Sequence, residues 1–383
     1  MRRQNCWNRA TVREAYATGE AKACVSVLYR KRKRCHWRAS GYTALNNTRH
    51  TSGPCANAGT VLPGRVSHFC GKFVVKYAKL PLSNADLLAR WRGKGLTVSN
   101  VGDAERALSF VGYFRLRGYA LSLMTPTPAG RMFLPGVSFE DVIVRYEFDR
   151  VLRRITLGQL ERIEVAVRTV MSNQMSMQYG PFWYLNHPAQ VLGHAPGHGS
   201  RPEPFPLGNF LGTVERETRR SRDLFAQHYF ETYTEPLLPP SWLMAECLSF
   251  GKWSQLYKYL QKADRAHPNP KKVVAKAFGL TVPLVESWLH ALTLLRNICA
   301  HHGRVWNRRF VFRPAVYNRA AAHFNDPQSY YCLAVVMRLI SKAVDSRDEW
   351  PVRLLESFRT HAAITPADLG FPQGWRDDPI WNG

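Results

Sequence analysis

Apolar residues along most of the chain recur at three- and four-residue spacing, which is the period of an amphipathic α-helix. The longest such pattern covers residues 139–178, and its apolar positions are Val142, Ile143, Tyr146, Leu152, Ile155, Leu160, Ile163, Val167, Val170 and Met171. A second pattern predicts a buried helix over 282–302, with an apolar stripe from Val285 to His302. The alternation that marks β-strands is scarce. The sequence therefore predicts an all-α bundle with these two helices packed in its core.

Shorter helical patterns surround these two helices. Ser83 is a predicted N-cap for a helix over 86–94, and Asp103 for a helix over 104–113. The Pro- and Gly-rich stretch 124–137 predicts a turn or a short hairpin. Further helices are predicted over 209–235, 242–250, 253–262, 271–278, 327–344 and 350–360.

The pattern divides the chain into three segments. Residues 1–72 lack sustained periodicity and are rich in Arg, Asn, Thr, Gly and Ser, which predicts a disordered basic extension or a start codon set too early. A basic arm that binds RNA through phosphates is the alternative. We expect a small N-terminal helical unit over 73–136 and a helical bundle over 137–383.

Charge points to a polyanionic partner. The net charge is +25, and residues 1–72 carry 14 Lys and Arg against 2 Asp and Glu, which leaves +13 on the rest. Nucleic acid is the favoured partner, ahead of an anionic membrane surface. No apolar run reaches the 18 residues of a membrane span, and no signal peptide is expected, so a cytoplasmic location is predicted.

Neither a metal nor a cofactor is expected. Five of the eight cysteines fall in the first 72 residues without a Cys-x-x-Cys pair, which argues against a zinc module. Three histidines, His187, His194 and His198, fall in the Pro- and Gly-rich stretch 187–207. Their spacing fits no ligand pattern, so this stretch is predicted to be a flexible surface loop.

The most reactive set of side chains follows the second long helix. Residues 294–309 contain four arginines, two histidines and two asparagines. Gly303 is predicted to be the left-handed residue that ends the helix, which places both histidines at its carbonyl end, where positive charge is stabilised. Asn297 and His301 share the polar face. His302 lies on the apolar stripe and is predicted to be a core histidine, with support of the site from behind as the alternative.

The spacing of Arg296 and His301 has a geometric consequence. Five residues correspond to about 140° of rotation on a helix, so the two side chains do not share one face. They reach one substrate only if the arginine arm swings round or if two chains pool their residues. The second possibility predicts a homodimer with a composite site.

The run 296–308 resembles the signature of the Abi-like abortive-infection proteins, a branch of the HEPN superfamily. Other segments resemble the same family in the same order, namely 79–83, 112–119, 136–141, 146–150, 161–169, 179–184, 248–254 and 370–372 with Trp375 and Trp381. The resemblance covers about residues 75–383. It implies a HEPN-like bundle and a metal-independent endoribonuclease that acts as an antiphage toxin.

The same resemblance implies that Arg296 and His301 are catalytic. Asn297 is expected to orient the imidazole or the phosphate, and three further arginines are expected to extend the positive surface for the RNA backbone, namely Arg304, Arg308 and Arg309. An inhibitory small RNA or an antitoxin is a possible partner. The alternative is a non-catalytic RNA-binding or scaffold protein on the same fold.

Two other groups of side chains leave alternatives open. Glu161 and Glu164 can assist a catalytic site, or Glu164 can form an i,i+4 ion pair with Arg168 on an exposed face, which the spacing favours. In the N-terminal unit, arginines and aromatic residues either contact nucleic acid or form an ordinary core with a basic surface, namely Arg106, Arg115, Arg117, Tyr113, Phe114 and Tyr119.

Overall fold

The computed structural model describes residues 77, 79–128, 130–195, 202–262 and 265–382. The predicted extension 1–72 lies outside the described residues. Residues 78–383 form one compact unit. The domain boundary expected between 136 and 137 stays a prediction. Buried residues on both sides of it belong to one hydrophobic core.

Three short helices and a hairpin begin this unit: α1 (Asn84–Arg92), α2 (Val101–Phe110), α3 (Tyr113–Ala120), β1 (Met124–Thr127) and β2 (Gly130–Phe133). The predicted cap Ser83 and the predicted hairpin are confirmed. Asp103 was the wrong cap for α2, because Asn100 occupies that place and its Oδ1 accepts the Asp103 N–H at 3.1 Å. Asn100 and Asp103 are both of a type that caps helices well, which explains why the helix was predicted to begin three residues too late.

The long helix α4 (Phe139–Tyr179) confirms the prediction over 139–178. Ser138 caps its first turn through a capping box with Asp141: the Ser138 hydroxyl accepts the Asp141 N–H at 3.2 Å, and the Asp141 carboxylate accepts the Ser138 N–H at 2.9 Å. This capping box fixes the residue at which α4 begins.

Replacing Ser138 with alanine is expected to lower the free energy of unfolding by about 1 kcal/mol, because it leaves the Asp141 N–H without its acceptor. Urea titration followed by circular dichroism measures the change. Ser138→Asp, which keeps an acceptor at the N-cap, is the matched control and is expected to retain most of the stability. Equal losses in both variants would contradict the capping role.

The middle of the unit contains short elements: α5 (Trp183–Asn186), α6 (Pro188–Val191), β3 (His194–Ala195), β4 (Glu203–Pro204), α7 (Leu207–Arg220), α8 (Leu224–Thr232), α9 (Ser241–Cys247), α10 (Phe250–Tyr259) and α11 (Pro270–Ala277). The stretch 187–207, predicted as a plain loop, contains α6 and the paired strands β3 and β4. His198 lies outside the described residues.

The single helix predicted over 209–235 is wrong, because the chain forms α7 and α8 with a break at 221–223. The Ser221 hydroxyl donates to the Asp223 carboxylate at 2.7 Å and accepts the Asp223 N–H at 3.2 Å. These local bonds compete with helical ones. The side chains of Phe225 and Tyr233 are 43% and 53% exposed.

The remaining helices are α12 (Val282–Ala300), α13 (Tyr330–Val344) and α14 (Trp350–Arg359). Helix α4 packs against α3 and against each of α9 to α14, and its contact with α12 confirms the predicted core pair. Since the described β-strands form only two short antiparallel pairs, the all-α prediction is confirmed. Among the described helices, none is by itself both long and apolar enough to cross a membrane, although α11 and α12 pass as a pair bent by 70°.

Candidate active site

Helix α12 ends in a tight turn that differs from the predicted one. His301 is the C-cap, and His302, with φ of +58°, takes the left-handed conformation expected of Gly303. The His302 N–H donates to the Cys299 carbonyl at 3.0 Å and the Gly303 N–H to the Ile298 carbonyl at 2.7 Å, which is a Schellman motif. The left-handed turn carries His302 off the apolar stripe.

The prediction that His302 is a core histidine is therefore wrong, since its side chain is exposed. Gly303 serves another purpose in the turn. A Cβ on it would lie 3.1 Å from both the carbonyl oxygen and Cγ2 of Ile298, so glycine permits the close approach of the chain to the helix end.

Arg296 reaches from α12 to Glu164 on α4. The Arg296 Nε lies 3.5 Å from Glu164 Oε2, and the other carboxylate oxygen accepts the Phe250 N–H at 3.0 Å where α10 begins. The Glu164 side chain is only 13% exposed. The ion pair predicted between Glu164 and Arg168 is therefore wrong, because Glu164 faces α10 and α12 while Arg168 pairs with Glu246 at 2.9 Å.

This ion pair leaves Arg296 accessible. Its side chain is 37% exposed, and its Nη groups have no hydrogen-bond partner within the described part of the chain. It lines a cleft of about 420 Å³ between α4 and α12, whose other lining residues are Arg154, Leu157, Gly158, Glu161, Glu164 and Ala300. His301, the next residue after Ala300, is exposed, as is Asn297. The guanidinium, the imidazole and the amide are thus all open to solvent.

A buried carboxylate fixes the loop that follows the helix. Asp149 Oδ1 accepts the N–H groups of Val305 at 3.0 Å and of Trp306 at 2.7 Å. Its Oδ2 accepts the Tyr119 hydroxyl at 2.6 Å and pairs with Arg153. Asp149 is fully buried, and Arg153 nearly so. This network ties the loop after α12 to α3 and α4.

Sequence reasoning missed the role of Asp149. The residue falls three positions after Tyr146 and three before Leu152, so it is a carboxylate within the apolar stripe of α4. A charge at a core position requires partners, and this was the available signal. Burial, followed by the charge of Asp149, raises the pKa of Tyr119, which keeps its hydroxyl a donor. The Tyr119 ring also stacks on the Trp306 ring, with 6.2 Å between the ring centroids.

Helix α3 contacts the turn directly. Arg115 Nη1 donates to the His302 carbonyl at 2.6 Å, which satisfies one of the orphan acceptors at the helix end. The sequence predicted Arg115 as a contact for nucleic acid or as part of a basic surface, and it did not predict this hydrogen bond. The turn and the loop are therefore held by α3 and α4 together.

The three arginines expected to bind the RNA backbone differ in their surroundings. Arg304 is half-buried, whereas Arg308 and Arg309 are exposed. Arg308 Nη1 donates to the Arg304 carbonyl at 3.2 Å. Arg309 pairs with Asp326 and donates to Gln328 Oε1 at 3.4 Å, so part of its charge is offset.

The cysteine within the motif, Cys299, is buried in the core. Burial raises the pKa of the Cys299 thiol to about 12 and that of Cys332 to about 12, whereas Cys247 is only half-buried. Thiols protonated at neutral pH are poor nucleophiles and poor metal ligands. Within the described ranges, no three His, Cys, Asp or Glu side chains are arranged to hold a metal ion.

Alkylation of the folded chain with iodoacetamide near pH 8 is expected to modify Cys247 about tenfold or more faster than Cys299 and Cys332, because thiolate fraction and access set the rate. Peptide-resolved mass spectrometry measures each site. The chain in denaturant is the control, in which the three sites should react alike. Rapid alkylation of Cys299 in the folded chain would contradict its burial.

The fold and this site define an all-α protein with an Arg-x4-His pair at the exposed end of a core helix. A family model described as Abi-like protein matches residues 106–307, which is more than half of the chain. The chain belongs to this family of Abi-like proteins, which points to abortive infection and phage resistance. Comparison with curated proteins and with solved structures gives no match.

Proposed function

We propose that this protein is a metal-independent endoribonuclease of the HEPN type, and that it acts in the cytoplasm as an abortive-infection toxin. One observation carries the proposal: Arg296 borders an open cleft and His301 is exposed at the same helix end, followed by a loop anchored to Asp149. A core arginine and a packing histidine would not require solvent access.

The residue types suit cleavage of RNA by its own 2′-hydroxyl. A neutral imidazole takes the 2′-hydroxyl proton as the oxygen attacks phosphorus, and an imidazolium gives a proton to the departing 5′-oxygen. Arginine binds the phosphate oxygens and stabilises the charge that develops on them. The products are a 2′,3′-cyclic phosphate and a 5′-hydroxyl. One histidine that first takes the 2′-hydroxyl proton and then gives it to the 5′-oxygen balances the protons within each site.

The direction of Arg296 favours a site shared by two chains. Glu164 draws the arginine toward α4, whereas His301 occupies another side of the helix end, as the rotation of about 140° requires. A second copy related by a two-fold axis supplies an imidazole to the first arginine, and the reverse. We therefore propose a homodimer with two composite sites.

Other exposed groups complete the proposed site. Asn297, one turn before His301, orients the imidazole or the phosphate, and Arg304, Arg308 and Arg309 contact the RNA backbone. His302 supports the turn through its backbone. An inhibitory small RNA or an antitoxin would hold such an activity in check.

Incubating the purified chain with RNA in EDTA tests this function. We expect cleavage to continue without divalent ions and to leave 2′,3′-cyclic phosphate and 5′-hydroxyl ends, which mass spectrometry of the fragments identifies. Cleavage that EDTA abolishes, or fragments with 5′-phosphates, would contradict the proposed chemistry.

A non-catalytic RNA-binding protein is the second candidate, and the Arg296–Glu164 ion pair favours it, because that contact gives the arginine a structural role. Under this alternative, the chain binds RNA without cleaving it, and binding survives substitution of both Arg296 and His301. A filter-binding measurement on the doubly substituted chain, set beside the cleavage assay, separates the two functions.

A further inference from the structure

Two phenylalanines of the N-terminal helices project into solvent. The Phe110 side chain at the end of α2 is 87% exposed, and that of Phe114 in α3 is 80% exposed. They are the two most exposed side chains among the phenylalanines, tyrosines and tryptophans that the structure describes. The other rings of this segment are used in packing, since Tyr119 is buried and Tyr113 lies 5.1 Å from the buried Trp91.

Each exposed ring has an arginine on its own helix face. Arg106 precedes Phe110 by four residues on α2, and Arg117 follows Phe114 by three on α3, and both arginines are exposed. Gly118, four residues after Phe114, has no side chain, and a Cβ there would meet nothing within 4 Å. One side of the Phe114 ring is therefore open to a flat ligand.

Helix α3, which carries Phe114 and Arg117, contacts the turn of the candidate active site. Arg115, the residue after Phe114, donates to the His302 carbonyl at 2.6 Å, so α3 touches the turn that carries His301. An extended ligand bound at His301 would therefore meet α3 as it leaves the site. We define the α2–α3 patch as the four exposed residues Arg106, Phe110, Phe114 and Arg117.

We propose that the α2–α3 patch binds the single-stranded RNA that flanks the cleaved bond. Its phenylalanines stack on unpaired bases, and its arginines hold the neighbouring phosphates, since alternating aromatic and cationic groups bind single strands without sequence preference. The net charge of +25 supports a polyanionic partner over an apolar one. The choice of RNA rests on the proposed function, whereas the stacking itself does not require cleavage.

The experiment measures binding rather than turnover. The full-length His301→Ala chain, which should leave RNA intact, is titrated with a fluorescein-labelled oligouridine of about 12 nucleotides. Adding Phe114→Ala is expected to weaken binding by about 5- to 150-fold with an unchanged dependence on salt. Adding Arg117→Ala instead should lower the logarithmic salt slope by about 0.7 for one lost phosphate contact.

Two controls separate stacking from other causes. Phe114→Tyr, which keeps an aromatic ring, is expected to restore most of the affinity. Phe225→Ala, which removes an exposed ring of α8, is expected to leave the affinity unchanged. The patch is overturned if Phe114→Ala binds like its parent, if the parent chain shows no binding, or if sedimentation shows that Phe114→Ala changes the oligomeric state, which would make the patch an interface between copies.

The outcomes also distinguish this inference from the proposed function. If the unsubstituted chain fails to cleave RNA but Phe114→Ala weakens binding, the nuclease proposal is wrong and the patch stands. If the unsubstituted chain cleaves RNA and Phe114→Ala alters neither binding nor cleavage, the patch is wrong and the nuclease proposal stands.

Discussion

Replacing His301 with alanine is expected to lower the rate of RNA cleavage by about 10²–10⁴-fold, because the variant lacks the group that moves protons in the proposed reaction. The side chain is exposed at the helix end, so its removal leaves no cavity, and the melting temperature should stay within a few degrees of the parent value. Gel-resolved cleavage of labelled RNA under single-turnover conditions measures the rate.

Arg296→Ala is expected to act in the same direction. The Arg296 side chain is 37% exposed but its partner Glu164 only 13%, so the loss of this ion pair is expected to cost about 1–3 kcal/mol. The Glu164 carboxylate keeps the Phe250 N–H as a donor, so the variant should remain folded, which circular dichroism checks. Loss of cleavage would then report chemistry rather than unfolding.

His290→Ala is the matched control for both variants, because His290 is another exposed histidine of the same helix. It is expected to cleave RNA at the parent rate. If His290→Ala and His301→Ala lose activity equally, or if neither loses any, His301 does not have the proposed role.

Replacing Asp149 with alanine is expected to lower the free energy of unfolding by about 3–5 kcal/mol, because it leaves the buried guanidinium of Arg153 without its carboxylate partner. The same change removes the acceptor of the Val305 and Trp306 N–H groups, so the loop after α12 loses its anchor. Urea denaturation measures the loss, and hydrogen exchange of the two amides reports the loop directly.

Asp326→Ala is the control for Asp149→Ala. Asp326 also pairs with an arginine, Arg309, but both side chains are exposed. Its removal should therefore cost less than about 1 kcal/mol. A similarly small cost for Asp149→Ala would contradict the central place of Asp149 in this network.

The two long helices were predictable because burial imposes a regular period on them. Helix α4 begins at the predicted residue and α12 does as well, since a capping serine in one and Pro283 in the other mark the start. Chain breaks were harder to predict. The interruption at 221–223 depends on two side chains that bond each other, and this leaves the helical period almost undisturbed.

The candidate site was likewise predictable only in part. Arg296, Asn297 and His301 could be selected because one short segment contains all three, and the exposure found for them agrees with that choice. The partners that fix this segment come from distant parts of the chain. Asp149 is 156 residues away from Val305 in the sequence, so its role depends on packing that no local pattern reports.

His302 shows how a change of backbone conformation at one residue redirects a side chain. Continuing the helix by one residue would keep His302 on the apolar stripe, whereas the left-handed turn places it in solvent. Glycine usually takes that position, and Gly303 follows immediately, which explains the error of one residue.

Mixing the two inactive chains tests the composite site most directly. Arg296→Ala and His301→Ala carry different affinity tags and are expressed together, and the doubly tagged dimers among them contain one intact site of two. If Arg296 of one chain works with His301 of the other, purified doubly tagged dimers should cleave at about one half of the parent rate, and the unfractionated mixture at about one quarter. Doubly tagged dimers that cleave no faster than either variant alone would contradict the account.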